Sequence, residues 1–284
     1  MMNVETFFDE KHTGTVTFVV SDSETDKCAV IDSVLHYDNA TGSTDTKYAD
    51  KIIKFIEINN LKLEWILETH IHADHLTASH YLKSRLGGRI GIGSGIAKVL
   101  EYWVPFFDAC EIPLDGSQFD HLFKDGDEFN IGNIKVKVIH TPGHTPACIT
   151  YYIKDSLFVG DTIFSPQVGT ARTDFPGGSS LELFDSIQKL YTLPDATKVY
   201  VGHEYPEKDS NPVIVTSIME EKKRNVSINL TTKKEEYFAK MSAGQINLRM
   251  PELILASLQI NLNAGRIPQF VKIPVNKLRE LEDN

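Results

Sequence analysis

The chain opens on short runs rich in apolar and β-branched residues, broken by polar turns. Residues 4–8, 15–20 and 28–32 are three such runs separated by polar turns, as in a meander. Residues 36–45 carry Asn39, Gly42 and Ser43 and read as a polar loop. Helical spacing then sets in over residues 46–60, with Ala49, Ile52, Ile53, Phe55 and Ile56 on the apolar face. Trp65, Ile66 and Leu67 predict a buried strand, and His70-Ile71-His72 continues it at period two, which would point both imidazoles the same way. From Asp74 helical spacing resumes at Leu76, Ser79, Leu82 and Leu86, and Gly87-Gly88 supplies a stop.

A short strand over 89–92 precedes a less regular stretch over 93–116. A second meander follows at 128–130, 134–140, 149–153 and 157–160, then a helix over 181–190 and a strand over 198–201. Two strand groups, each followed by helical segments, predict two facing sheets with helices outside. After Gly202 the pattern turns helical over 211–223, over 232–241 with a Thr232-x-x-Glu235 capping box, and over 251–264, where Pro251 lies near the start and Gly265 past the end. There is no internal repeat and no low-complexity linker. The tail is therefore expected to pack on the main body, giving a catalytic domain over 1–205 and a C-terminal helical extension over 206–284.

Composition changes little in this picture. A chain of 284 residues suits one large α/β domain or a domain with an appendage, and 41% hydrophobic with 24% charged residues is an ordinary soluble composition. The net charge of −10 argues against nucleic acid or an anionic membrane as main partner. It leaves room for a small anionic substrate, because a local cation can outweigh the global field. Cys28, Cys110 and Cys148 are odd in number and form no CxxC pattern, which fits a reducing compartment. Residues 1–10 show no signal-peptide pattern, and no apolar stretch reaches the roughly 18–20 residues needed to span a bilayer, so the cytoplasm is the expected location.

The histidines change it a great deal. His70, His72 and His75 fall within six residues with Asp74 between them, where a strand hands over to a helix and side chains can converge. Three further predicted strand ends lead into His140-Thr141-Pro142-Gly143-His144, into Asp161, and into Gly202-His203-Glu204-Tyr205. Pro142 and Gly143 fix a tight turn that presents His144, and Gly160 lets the backbone come close beside Asp161. Neutral imidazole and carboxylate are ligands for zinc, iron or manganese. One histidine after a strand is ordinarily structural; four ligand-bearing strand ends in one chain predict a metal centre.

The stretch Thr69-His70-Ile71-His72-Ala73-Asp74-His75 resembles the HxHxDH motif of the metallo-β-lactamase superfamily, with His144, Asp161 and His203 matching its later ligands in order and spacing. That resemblance covers residues 13–205 and implies an αββα sandwich with the metal at one edge between the sheets. It leaves His12, His36, His80, His121 and His140 without a role. A full set of His70, His72, Asp74, His75, His144, Asp161 and His203 would hold two zinc ions, as in glyoxalase II and related hydrolases. In the persulfide dioxygenase branch the resemblance implies one iron on His70, His144 and Asp161, with His72, Asp74, His75 and His203 as outer groups.

Val168-Gly169-Thr170-Ala171-Arg172-Thr173-Asp174-Phe175 resembles the dioxygenase branch, closest to the bacterial β-lactamase-like hydrolase group of sulfide detoxification. Features of that group recur at Ala29 to Val34 with Tyr37-Asp38, and at Arg249-Met250-Pro251 and Arg266-Ile267-Pro268. Ala171 stands where the mitochondrial branch has cysteine, and any sulfurtransferase partner is expected to be a separate protein. The expected reaction takes glutathione persulfide, O2 and water to glutathione and sulfite at one Fe(II) per chain. Arg172 would take a glutathione carboxylate, and Tyr205 would bind the same substrate. Cys148 is expected to be a buried structural thiol. A homodimer and a separate rhodanese-type sulfurtransferase are the protein partners this reading allows. A dinuclear zinc thioester hydrolase, a lactonase of the same fold and a non-catalytic metal-stabilised protein remain as alternatives.

Overall fold

The computed structural model describes residues 1–206, 210–245 and 248–275. The first meander is β1 (Met2–Phe8), β2 (Val16–Asp22) and β3 (Lys27–Ile31), followed by a hairpin of β4 (Val34–Asp38) and β5 (Ser43–Asp45). Next come α1 (Lys47–Ile58), β6 (Lys62–Leu67), the two-residue β7 (Leu76–Thr77), α2 (Ser79–Leu86), β8 (Arg89–Gly93), α3 (Ile96–Phe106) and β9 (His121–Phe123). The second half runs β10 (Glu128–Ile131), β11 (Ile134–His140), β12 (Ile149–Ile153), β13 (Ser156–Phe158), α4 (Ser180–Tyr191) and β14 (Lys198–Tyr200). The tail contributes β15 (Val215–Ser217), α5 (Ile218–Arg224), α6 (Lys234–Gln245) and α7 (Ile254–Asn261).

Two six-stranded sheets face each other, in the orders β1-β2-β3-β6-β8-β9 and β10-β11-β12-β13-β14-β15, and β5-β4-β7 form a small third sheet. Alternation along each strand sorts the core. Val16, Phe18, Val20, Ala29, Ile31, Trp65 and Leu67 meet Val136, Val138, Ile149, Tyr151 and Phe158 between the sheets. Val19, Cys28, Val30 and Ile66 point the other way, into a layer closed by α1, α2, α3 and α7. The outer face of the second sheet carries Leu157, Val159 and Val199 against Leu183, Ile187, Ile218 and Tyr237 of α4, α5 and α6. Apolar residues on both faces of β3 and β6 are what parallel strands covered on both sides require. The result is the expected α/β fold in four layers, αββα.

Several elements differ from expectation. β6 stops at Leu67, because β3 ends and Asp32 turns with φ 52° to place its side chain under Thr69; the histidine loop is not strand. Helix α2 begins at Ser79, since Leu76 and Thr77 pair instead with β4. The supposed polar loop over 36–45 folds back as the β4–β5 hairpin. The irregular stretch contains α3, whose buried Ile96, Val99, Leu100, Trp103 and Val104 have helical spacing that Gly95 and Pro105 obscured. The predicted helix over 211–223 begins only at Ile218 with α5, after an irregular 211–214 and the three-residue strand β15. No capping box forms at Thr232, whose hydroxyl accepts from the Asn229 amide.

One buried group makes stability depend on pH. Glu221 of α5 is fully buried, with Oε2 accepting from Asn225 Nδ2 at 2.8 Å and Oε1 without a partner. Burial pushes its carboxyl up from 4.5 to about 7. The folded protein therefore holds this proton where the unfolded chain releases it. Stability is fully present below the unfolded value near 4.5 and is lost as pH rises through about 7. Glu221→Gln keeps the acceptor for Asn225 and removes the charge. It should raise unfolding stability by on the order of 2–3 kcal/mol at about pH 8.5 and change it little at about pH 5. Urea titrations at the two pH values, at constant metal content, test this; equal shifts at both would refute it.

Candidate metal centre

The donors sit on loops that leave the facing edges of both sheets. The loop after β6 carries His70, His72, Asp74 and His75; those after β11, β13 and β14 carry His144, Asp161 and His203. Two glycines make the convergence possible. Gly160 has φ 49°, and a Cβ there would lie 2.1 Å from Thr69 Oγ1. Gly143 has φ 139° with the Leu183 backbone where its Cβ would be.

Hydrogen bonds fix which ring nitrogen of each histidine is free. Thr69 Oγ1 donates to Asp32 Oδ2 at 2.8 Å, so His70 Nδ1–H donates to that hydroxyl at 3.0 Å and Nε2 keeps its lone pair. His144 Nδ1–H donates to the Arg172 carbonyl at 2.7 Å, again leaving Nε2 free. These two nitrogens face Asp161 Oδ2 at 3.8 and 3.7 Å. The donor atoms of His70, His144 and Asp161 all lie within 4.8 Å of one another. His75 Nδ1–H donates to the Leu76 carbonyl, and its buried Nε2 has no partner. His203 Nε2 lies 3.4 Å from Asp161 Oδ1 and 3.6 Å from Asp74 Oδ2.

His72 is held differently. Its Nε2 lies 3.2 Å from both Asp32 and Glu68, while its buried Nδ1 has no partner. Burial works against a charge on this ring, but the two carboxylates outweigh it and hold His72 well above its ordinary value. Burial and the neighbouring imidazoles push His70 well below its own. Burial likewise takes His75 down to about 4, against the pull of Asp74. Desolvation would raise Asp74, but His203, His75 and His72 more than offset it and its carboxyl stays low.

These features fit a metal ion. The His–Asp161 and His203–Asp74 separations of 3.4–3.8 Å are too long for direct hydrogen bonds. Adjacent ligands sharing one ion at ~2.1 Å would lie about 3–3.5 Å apart. Buried His72 Nδ1, His75 Nε2, Asp74 Oδ2 and Asp161 Oδ1 stand unpartnered, which a coordinated cation would relieve. By contrast Asp9, His12 and His36 approach to 3.0–3.1 Å, the spacing of direct hydrogen bonds that need no ion. His140 Nε2 meets the Pro146 carbonyl and His121 packs edge-on against Trp65 and Phe123, contacts that are structural.

Residues 11–203 match the Metallo-beta-lactamase superfamily. The chain belongs to that superfamily. Within it, the chain is 44% identical to Glyoxylase B2 of Dictyostelium discoideum over 96% of this chain and 97% of that one. It is 43% identical to the Beta-lactamase hydrolase-like protein of Xylella fastidiosa over 97% of its own length, which spans 65% of that relative. Human Persulfide dioxygenase ETHE1 is 29% identical over 88% of this chain and 84% of that one. The crystal structure of ETHE1 from Myxococcus xanthus superposes with a TM-score of 0.75 at 30% identity, covering 93% of this chain and 100% of that one.

A pocket opens on the donors. It has a volume of about 320 Å³, with Phe164, Ala171 and Phe175 as its apolar wall and His144, Asp161 and His203 on its polar side. Tyr205 lies at its rim, stacked on His203 with centroids 6.0 Å apart. Arg172 also lines it, but its guanidinium is occupied: Nε and Nη2 donate to Asp174 at 2.6 and 2.5 Å, and Nη1 donates to the Arg249 carbonyl. The fork expected to meet a substrate carboxylate thus closes on the neighbouring acid, and the backbone of Arg172 orients His144. Cys148 is buried beside Thr145, and burial pushes its thiol up to about 12, as suits an inert thiol.

Sequence reasoning gave no role to Glu68, or to Asp32 and Arg249, which it met only as features of the resemblance, and it passed over Asn261 of α7, whose amide bonds the His72 and His75 carbonyls. Asp32 and Glu68 sit on β-rich segments where an acid would ordinarily face solvent, and both are buried. An acid closing two apolar runs, Cys28–Asp32 and Trp65–Glu68, was the available signal.

Proposed function

We propose that this chain is a persulfide dioxygenase with one iron, taking glutathione persulfide, O2 and water to glutathione and sulfite. The observation that supports it most is the convergence of two imidazole Nε2 atoms and one carboxylate from three separate loops, the two-histidine, one-carboxylate set of non-haem iron oxygenases. The likeness to ETHE1 proteins adds to it. Iron held by His70, His144 and Asp161 would supply one-electron chemistry between O2 and a sulfur ligand bound beside it. Thr69 and the Arg172 carbonyl hold the two rings in the ligand tautomer before any ion arrives. Phe164 and Phe175 would give a bound substrate an apolar wall beside the donors. His72, Asp74, His75 and His203 would hold bound water and orient Asp161. Glutathione persulfide and O2 would be its small-molecule partners, the persulfide supplied by a separate sulfurtransferase.

Arg249 is the cation we assign to the substrate's carboxylate. Its side chain is exposed at the pocket, and it has no acidic partner among the described residues. Arg249→Gln should raise KM for glutathione persulfide by about 10–150-fold with kcat retained, the loss of one charge-assisted hydrogen bond. The persulfide of an uncharged thiol should show no such change. An unaltered KM for the glutathione substrate would remove Arg249 from this role.

One observation favours a second reading, a dinuclear zinc thioester hydrolase. The donor atoms of His72, Asp74 and His75 lie within 4.8 Å of one another as a second set, and His203 Nε2 bridges it to the first, 3.6 Å from Asp74 Oδ2 and 3.4 Å from Asp161 Oδ1. Two zinc ions there would activate a water for attack on an acyl carbon. Assays on one preparation separate the two readings: sulfite release from glutathione persulfide supports the dioxygenase, and rapid thiol release from S-lactoylglutathione supports the hydrolase.

A further inference from the structure

The histidine loop has little secondary structure of its own to hold it, and it is fastened from the far end of the chain. Asn261, the last residue of α7, is buried, and its amide is fully used on that loop. Nδ2 donates to the His72 and His75 carbonyls, both at 2.8 Å. Oδ1 accepts from the Thr77 amide, also at 2.8 Å. Two donors and one acceptor on a short side chain match two carbonyls and one N–H. Aspartate lacks both donors, and glutamine would place the amide a carbon further out. The bonded residues bracket Asp74 and include two histidines of the metal centre.

α7 is itself rigidly placed. Ile254, Ala256, Leu258 and Ile260 are buried in the layer outside the first sheet, and the Leu262 carbonyl accepts from Gln118 Nε2. The helix therefore presents Asn261 as a fixed template for the loop. We infer that Asn261 is a positioning residue that sets metal affinity by holding the backbone of residues 72–77 in the form that turns His72, Asp74 and His75 toward the metal centre. It touches neither metal nor substrate, and it acts whichever reaction the centre performs. Loss of an outer partner of this kind typically costs about 10–100-fold in metal affinity.

The test compares Asn261→Leu with Ile260→Ala, which loosens the same helix from its apolar side. Zn2+ affinity is measured by competition with a chromogenic chelator, alongside the visible spectrum of the Co2+-loaded proteins and the melting temperature. Asn261→Leu should bind Zn2+ about 10–100-fold more weakly and show a changed Co2+ spectrum. Ile260→Ala should melt earlier with affinity and spectrum unchanged. Asn261→Asp, which keeps the bond from Thr77 and loses both donors, should follow Asn261→Leu and serves if leucine prevents folding. Unchanged affinity in the Asn261 variants, or equal losses in Ile260→Ala, would overturn the inference.

Discussion

Asp161→Ala, His144→Ala and His70→Ala are each expected to yield a folded protein that has lost its iron and its activity. Each change removes one of three donors from a site that has no fourth protein donor to replace it in the proposed mononuclear set. The loss should far exceed the roughly 10–100-fold that removal of an outer group produces. His72→Ala and His203→Ala should stay within that smaller range and keep most of the metal. His72 Nε2 is committed to Asp32 and Glu68 while Nδ1 is free, so metal retention in His72→Ala follows from the mononuclear assignment to His70, His144 and Asp161. Metal content of the five purified variants gives the comparison. Two metals in the parent protein, with stoichiometric loss in His203→Ala, would favour the dinuclear hydrolase.

Gly160→Ala should be nearly as damaging although residue 160 donates nothing. Its φ of 49° disfavours any side chain, and the new Cβ would lie 2.1 Å from Thr69 Oγ1 and 2.6 Å from Thr69 Cβ. Thr69 cannot yield cheaply, because its hydroxyl and amide both hold Asp32 and its hydroxyl fixes the His70 tautomer. Strain and overpacking together should lower stability by roughly 2–5 kcal/mol and reduce bound iron. Gly126→Ala is the control. Its φ is 82° but a Cβ there meets nothing within 4 Å, so only backbone strain of about 1–3 kcal/mol should appear. Equal melting temperatures and equal iron in the two variants would contradict the steric account.

What could be read from the sequence followed from local pattern. Strands such as β11 alternate, and the ligand-type residues stand just past strand ends, so two facing sheets and a metal centre at their ends were legible, while the four-layer sandwich and the set His70, His144 and Asp161 came from the resemblance. The resemblance named the fold that joins them. Features set by tertiary partners were not legible. β6 stops at Leu67 because Asp32 leaves its neighbour, and Leu76 and Thr77 leave a helical pattern because β4 offers them a ladder. Arg172 shows the same limit: sequence supplies a guanidinium near the pocket, and only the fold shows that Asp174 closes on it. Asn261 acts on a loop 184 or more residues away, a separation no local pattern records. No helix among the described residues is long and apolar enough to cross a membrane, in line with the sequence pattern.

Oxygen consumption by protein loaded separately with iron and with zinc tests the central claim most directly. Both ions can use imidazole nitrogen and carboxylate oxygen, so the same donors should accept either and the fold should persist. Only iron can exchange electrons with O2. The account predicts that protein with about one iron per chain consumes O2 when given glutathione persulfide and releases sulfite. Zinc-loaded protein should be silent in the same assay and slow on S-lactoylglutathione. Rapid thioester hydrolysis by the zinc form, with no oxygen uptake by the iron form, would contradict it.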